Sequence, residues 1–201
     1  MDINELGRIL GQRFHIVAGD GAIALKELAL PAGANVLDVG TGAGNFAIFL
    51  ASQGYQVLTG EPSTDASRYA RQDWTHNARK AGLLDRIRFQ AFDASQMPFE
   101  SGAFDAVFFF GVLHHIAEEI RGDVLREALR VSKEKGPVVF FEPRPIMLEK
   151  VRGEDPGHPP AADPSRYLTV PQIDERRIAG AYMDISIYRK ATPSPLAPAT
   201  P

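Results

Sequence analysis

Apolar positions along this chain follow two different periods. Between residues 35 and 141, short apolar runs alternate with stretches in which apolar residues recur every three or four positions. The runs at 35–39, 55–59, 86–91, 104–110 and 137–141 read as strands. Residues 86–91 alternate apolar and polar, whereas 104–110 is almost continuously apolar, as expected of a strand buried on both faces. Residues 44–53 read as a small apolar helix. Residues 64–81 read as a longer one, with Ala66, Tyr69, Ala70, Trp74 and Ala81 along one face. Residues 116–131 carry apolar side chains at 116, 120, 124, 125, 128 and 129, a helical period.

Strands alternating with helices across short joints predict an α/β fold. The expected form is a Rossmann-like, doubly wound, mostly parallel sheet in three αβα layers with right-handed crossovers. Residues 3–17 and 22–30 read as two helices before the sheet. After it, 169–179 reads as a helix and 182–189 as an antiparallel last strand, while 143–168 shows no clear period. Eleven of the 15 prolines stand at Pro143 or later, so regular structure should dominate the first 142 residues. These readings divide the chain into an N-terminal helical cap over the cleft (1–31), a main domain (32–190) and a disordered Pro-rich tail (191–201).

Composition narrows the chemistry. The 201 residues include no cysteine, which excludes disulfides, thiolate metal sites and cysteine nucleophiles. The net charge of −3 argues against a broad nucleic-acid footprint. No apolar run approaches the 18 or so residues a membrane span needs, and residues 1–5 lack a secretory signal's pattern. A cytoplasmic address is the expectation.

The sharpest local signal is Val36-Leu37-Asp38-Val39-Gly40-Thr41-Gly42-Ala43-Gly44, at the first strand–helix joint. Glycines there let the chain turn tightly and let a ligand approach the backbone, at the strand ends where such sheets bind ligands. The spacing is GxGxG, not the GxGxxG of dinucleotide sites, and no P-loop lysine follows. Glu61, just past the second strand, is suited to accept hydrogen bonds from ribose hydroxyls; its plainer reading is a solvated acid in a turn. Asp93, after the third strand, can accept from an exocyclic amine or cap a turn. His114 and His115, after the fourth, lie near the expected cleft, where histidine can act as a general base. Packing or cofactor contact are the competing roles. Two adjacent histidines alone do not make a metal site, and none is expected.

Taken together, these segments resemble the class I S-adenosylmethionine-dependent methyltransferases. The likeness runs from about Asn35 to Pro143 and rests on Val36–Gly44, on Gly60-Glu61-Pro62-Ser63 and on Asp93-Ala94-Ser95-Gln96-Met97-Pro98-Phe99. It continues through 104–115 and through 126–139. The resemblance implies S-adenosylmethionine as cofactor. It places Asp38, Gly40, Thr41, Gly42 and Gly44 around the methionine part and Glu61 on the ribose, with Pro62 and Ser63 beside the adenine. Asp93 and Ala94 would meet the adenine edge, and Phe110, Gly111 and His115 would line the cleft near the sulfonium. His114, His115 and Glu142 are the candidate proton acceptors.

The same family usually closes its sheet with a sixth and a seventh strand, and 169–180 leaves little room for a helix, a full sixth strand and a turn. The sixth strand is therefore expected to be missing, very short or drawn from 143–168. A bare sheet edge would invite a second copy of the chain, so a homodimer is one expectation. The stretch 144–168, with Gly157-His158-Pro159-Pro160, is either a lid or a passive crossover. The absent cysteines and the absent Asp/Asn-Pro-Pro-Tyr motif turn the expectation away from nucleic acid and toward a small-molecule methyl acceptor. A non-catalytic cofactor-binding module and a nicotinamide-dependent enzyme are the alternatives.

Overall fold

The structure, a computed structural model, describes residues 2–70 and 72–191. Its strands are β1 (Asn35–Val39), β2 (Gln56–Gly60), β3 (Ile87–Phe89), β4 (Ala106–Phe110), β5 (Val138–Pro143), β6 (Ile173–Ala179) and β7 (Met183–Lys190). They form one sheet in the order β3-β2-β1-β4-β5-β7-β6. Neighbours from β3 to β5 pair in parallel, while β7 is antiparallel to both β5 and β6. The helices are α1 (Ile3–Leu10), α2 (Gln12–Leu28), α3 (Asn45–Ser52), α4 (Trp74–Lys80), α5 (Arg121–Val131) and α6 (Pro145–Glu154). Among these, none is long and apolar enough to cross a membrane.

Alternation along the strands builds two cores, one on each face of the sheet. Val36, Phe108, Val139, Phe141, Ile185 and Ile187 face α1, α2 and α3. Leu37, Val39, Val107, Phe109, Val138 and Phe140 face α5. Strands covered on both sides can afford unbroken apolar runs, which is why β4 and β5 were legible as such. The strand order reverses at β1, flanked by β2 on one side and β4 on the other. Loops leaving β1 and β4 at this switch point diverge and open a crevice at the carboxyl ends of the strands.

Several expectations need correcting. Residues 169–179 form no helix: seven of them, Ile173–Ala179, are a full-length sixth strand paired residue for residue with β7. Tertiary pairing overrides the weak helical preference of this charged stretch, and the Tyr188 hydroxyl donates across the ladder to Glu175 at 2.9 Å. The bare edge that would have invited a second copy is therefore occupied. β6 presents exposed Asp174, Glu175, Arg176 and Arg177, which blunt the new edge.

Among the described residues of the expected 64–81 helix, only 74–80 are helical. Local side chains stop it from starting earlier: Asp65 accepts from Ser67 N at 2.8 Å, and the helix begins where Asp73 caps His76 N at 2.9 Å. Residues 116–120 likewise precede α5 rather than belong to it. The two N-terminal helices break at Gly11, in a left-handed conformation (φ 86°), and not between residues 17 and 22. Residues 143–168 contain the unforeseen α6, opened by Pro145 at its first turn. The expected disordered tail lies outside the described residues, apart from Ala191.

The N-terminal pair shares the main core through Leu6, Phe14, Ala18, Ala24 and Leu28. From α2, buried Asp20 also accepts the backbone N–H groups of Ala181, Tyr182 and Met183 at 2.6, 2.9 and 2.8 Å, which fixes the β6–β7 turn.

Candidate functional site

The loop after β1 is shaped by a glycine that nothing else could replace. Gly40 has φ 91°, and a Cβ there would lie 2.5 Å from Val112 Cγ2. Its N–H donates to Gly60 O at 2.8 Å, tying the loop to β2. Beneath it runs a buried polar chain: the Thr59 hydroxyl donates to Asp38 Oδ2 at 2.9 Å, and the Thr41 and Thr59 hydroxyls are 3.0 Å apart. The other Asp38 oxygen, Oδ1, is buried and has no hydrogen-bond partner among the described residues. Burial pushes this carboxyl up to about 7; the Thr59 hydrogen bond opposes the shift and the Glu61 charge adds to it.

Glu61 leaves the end of β2 and accepts the N–H of Gly42 at 3.0 Å. Asp93 follows β3, is exposed, and accepts both the N–H and the hydroxyl of Ser95 at 2.8 and 2.7 Å. The ends of β1, β2 and β4 and the loop beyond β3 surround one cleft of about 490 Å³. Of the residues expected from sequence, Gly40, Thr41, Gly42, Glu61, Pro62, Asp93, Ala94, Phe110, Gly111 and His115 line it. Asp38 lies behind the loop, and Gly44 packs under Trp74, whose Cβ would be 2.9 Å from an added methyl. Ser63 is outside the lining.

A second cavity of about 270 Å³ adjoins the first. Phe110, Gly111 and His115 belong to both walls. Its apolar side comes from Ile16, Val17, Met147, Val151 and Met183; its polar side includes Arg13, Tyr69, His114 and His158. Contacts across its mouth join α6 to the first half of the chain. The Tyr69 hydroxyl donates to Asp155 Oδ2 at 2.6 Å, and Arg13 pairs with Glu154 at 2.8 Å. Sequence reasoning missed Arg13, Tyr69 and His158 as site residues. Only His158 had a signal, in Gly157-His158-Pro159-Pro160, and the stretch offered no period to place it.

Of the candidate proton acceptors, His114 and His115 meet at one corner of this second cavity, and Glu142 stands behind His114. His114 Nδ1 is 2.8 Å from Glu142 Oε2, and both side chains are buried. The same Glu142 oxygen accepts the N–H of Ala162 at 2.8 Å, while Oε1 is buried with no partner among the described residues. Glu142 borders neither cavity. His115 is exposed, and His158, buried, comes from the loop after α6. Desolvation, then the charges of His114 and His158, hold the His115 ring below the ordinary histidine range. Desolvation likewise lowers His158, against the pull of its Pro159 carbonyl partner.

Comparison with known proteins bears on the family and the fold. A family model described as a methyltransferase domain matches residues 36–136, half of the chain. The 27-O-demethylrifamycin SV methyltransferase of Amycolatopsis mediterranei (strain S699) is 32% identical over 126 residues, covering 61% of this chain and 44% of the relative. The demethylmenaquinone methyltransferase of Clavibacter sepedonicus is 33% identical over 132 residues, covering 65% and 50%. The chain thus spans half or less of the length of these curated relatives. The crystal structure of a SAM dependent methyltransferase from Aquifex aeolicus superposes with a TM-score of 0.60 at 21% identity, covering 94% of this chain and 98% of that one, a likeness of fold.

Proposed function

This chain belongs to the methyltransferase-domain family, and on that premise we propose that its larger cleft takes S-adenosylmethionine and its smaller cavity a small organic methyl acceptor. One observation carries the reading: the two cavities share the wall formed by Phe110, Gly111 and His115, so an acceptor can sit against the reactive end of the cofactor. The larger cleft has the size of a small-molecule site. Its fit to this cofactor is supported by the loop that only Gly40 permits, by the unpartnered Asp38 oxygen beneath it and by Glu61 at the end of β2.

When bound, S-adenosylmethionine supplies a methyl group already activated by a positively charged sulfur. The work left to the chain is alignment and exclusion of water. Gly40, Thr41 and Gly42 would hold the amino-acid end, with Asp38 and Gly44 bracing the loop from behind. Glu61 would accept hydrogen bonds from vicinal hydroxyls. Pro62, Ser63, Asp93 and Ala94 would flank the base, and Phe110 and Gly111 would direct the methyl toward the second cavity. Where the acceptor must lose a proton, the histidine corner is placed to take it: His115 touches both cavities, and His114 is oriented by Glu142. His114 and Glu142 act in this reading as positioning groups.

In domain terms, residues 32–190 form the cofactor-binding unit, and 1–31 form a cap, supported by Arg13 and Val17 on both cavity walls. The cytoplasmic address stays part of the proposal. A non-catalytic binding module would have no need of the adjoining cavity, and a nicotinamide site is disfavoured by the GxGxG spacing.

The test is release of S-adenosylhomocysteine from S-adenosylmethionine across a panel of small phenols, hydroxy acids, amines and carbon acids. The expected result is release with at least one acceptor, abolished in Glu61→Ala. Tight binding of S-adenosylhomocysteine with no turnover across the panel would favour the binding module instead.

A further inference from the structure

We infer that His114, His115 and His158 form a site for a divalent cation of the class that imidazole prefers, such as zinc, at the corner of the second cavity. One ring nitrogen from each lies within 4.8 Å of those of the other two. The ring centroids are 4.2, 4.9 and 5.0 Å apart. Chain remote in sequence makes this corner, since the turn after β4 brings two rings and the loop after α6 the third.

Supporting partners complete the pattern. His114 Nδ1 faces the Glu142 carboxylate at 2.8 Å, and His158 Nδ1 faces the Pro159 carbonyl at 3.0 Å. Such acceptors hold the proton on Nδ1 and leave the Nε2 lone pair for an ion, the arrangement typical of ligating imidazoles. An independent observation points the same way. Glu142 is buried, and its Oε1 has no partner among the described residues, so one carboxylate oxygen is desolvated without compensation. A cation on His114 would place positive charge one ring away. The nearby guanidinium groups of Arg121 and Arg152 donate to main-chain carbonyls, of His114 at 3.4 Å and of His158 at 3.1 Å, and not to the Glu142 carboxylate.

Ligand type and number select the ion. Three neutral imidazoles without a carboxylate suit zinc, cobalt or nickel and not magnesium or calcium. Zinc–nitrogen bonds of about 2.1 Å want ligand nitrogens about 3.4 Å apart, so the corner must tighten, and His115, exposed at its edge, is the ring able to move. Three protein ligands leave a fourth position toward the cavity, where an acceptor oxygen could coordinate and become acidic, so that in the loaded site the ion replaces His115 as the means of removing the proton. The inference does not depend on methyl transfer, since the cation needs no cofactor to bind.

The experiment uses the 201-residue chain, tag-free and chelator-stripped, titrated with Zn²⁺ by calorimetry and with Co²⁺ by visible absorption. One ion per chain at micromolar affinity or better is expected, with Co²⁺ ligand-field bands of low coordination number. His115→Gln and His158→Gln should each weaken binding at least about tenfold, Glu142→Gln about 10- to 100-fold, and the surface control His76→Gln not at all. His115→Gln changes an exposed ring, so it keeps the test valid if His158→Gln misfolds. Absence of binding, or affinity unchanged in both His115→Gln and His158→Gln, overturns the site. S-adenosylhomocysteine titrated into stripped protein reports separately on the cofactor cleft.

Discussion

The backbone N–H of Gly42 donates to the Glu61 carboxylate at 3.0 Å, which joins the loop after β1 to the end of β2 at the wall of the larger cleft. The acid that braces the loop is the acid proposed to receive ribose hydroxyls. Glu61→Gln keeps an oxygen for Gly42 but loses charge, and S-adenosylhomocysteine should bind about 10- to 100-fold more weakly by calorimetry. The melting temperature should move by no more than about 4 °C, because the residue is only half-buried.

Gly40→Ala should damage both fold and site. The left-handed backbone costs a non-glycine residue about 1–2 kcal/mol, and the added methyl meets Val112. The double variant Gly40→Ala with Val112→Ala relieves the collision but not the backbone, so chemical denaturation should show partial rescue. Full rescue would mean that the conformation at 40 is not strained.

Asp38 makes stability depend on pH in a recognisable direction. Its carboxyl titrates near 3.8 in the unfolded chain and at about 7 when buried in the fold. The folded state therefore holds the proton more tightly, and this contribution to stability is lost as pH rises from about 4 through 7. Relative to Asp38→Asn, the natural chain should lose up to about 4 kcal/mol over that range. Denaturation curves of both proteins at pH 5 and pH 8 check it; a gap independent of pH would contradict the buried, poorly solvated carboxylate.

How much of this was legible beforehand follows from where each signal resides. β1, β2 and β4 carry their own signatures, because a strand covered on both faces must be apolar and a ligand loop must be glycine-rich. The same local patterns put Gly40, Glu61 and Asp93 beyond strand ends, where the structure sets them on the larger cleft. β6 was not, because Asp174, Glu175, Arg176 and Arg177 are dictated by a sheet edge and not by a core, and only pairing with β7 makes them a strand. The turn at Asp65 and the start of α4 at Asp73 rest on single side-chain hydrogen bonds, which periodicity cannot weigh. His158 reaches His114 and His115 only through the path of α6, a long-range fact absent from any local pattern.

The division of labour between the cavities can be separated by filling one of them. Met147 lines only the smaller cavity. Met147→Trp should leave S-adenosylhomocysteine affinity within about twofold and raise KM for an acceptor found in the turnover screen at least about tenfold. Equal losses of both would mean that the cavities are not independent.

The most direct measurement of the central claim is calorimetric titration of the chain with S-adenosylhomocysteine, with NAD as comparison and Glu61→Ala alongside. The account predicts micromolar binding of S-adenosylhomocysteine alone, lost in the variant. Absence of that binding, or a preference for NAD, would contradict the assignment of the larger cleft.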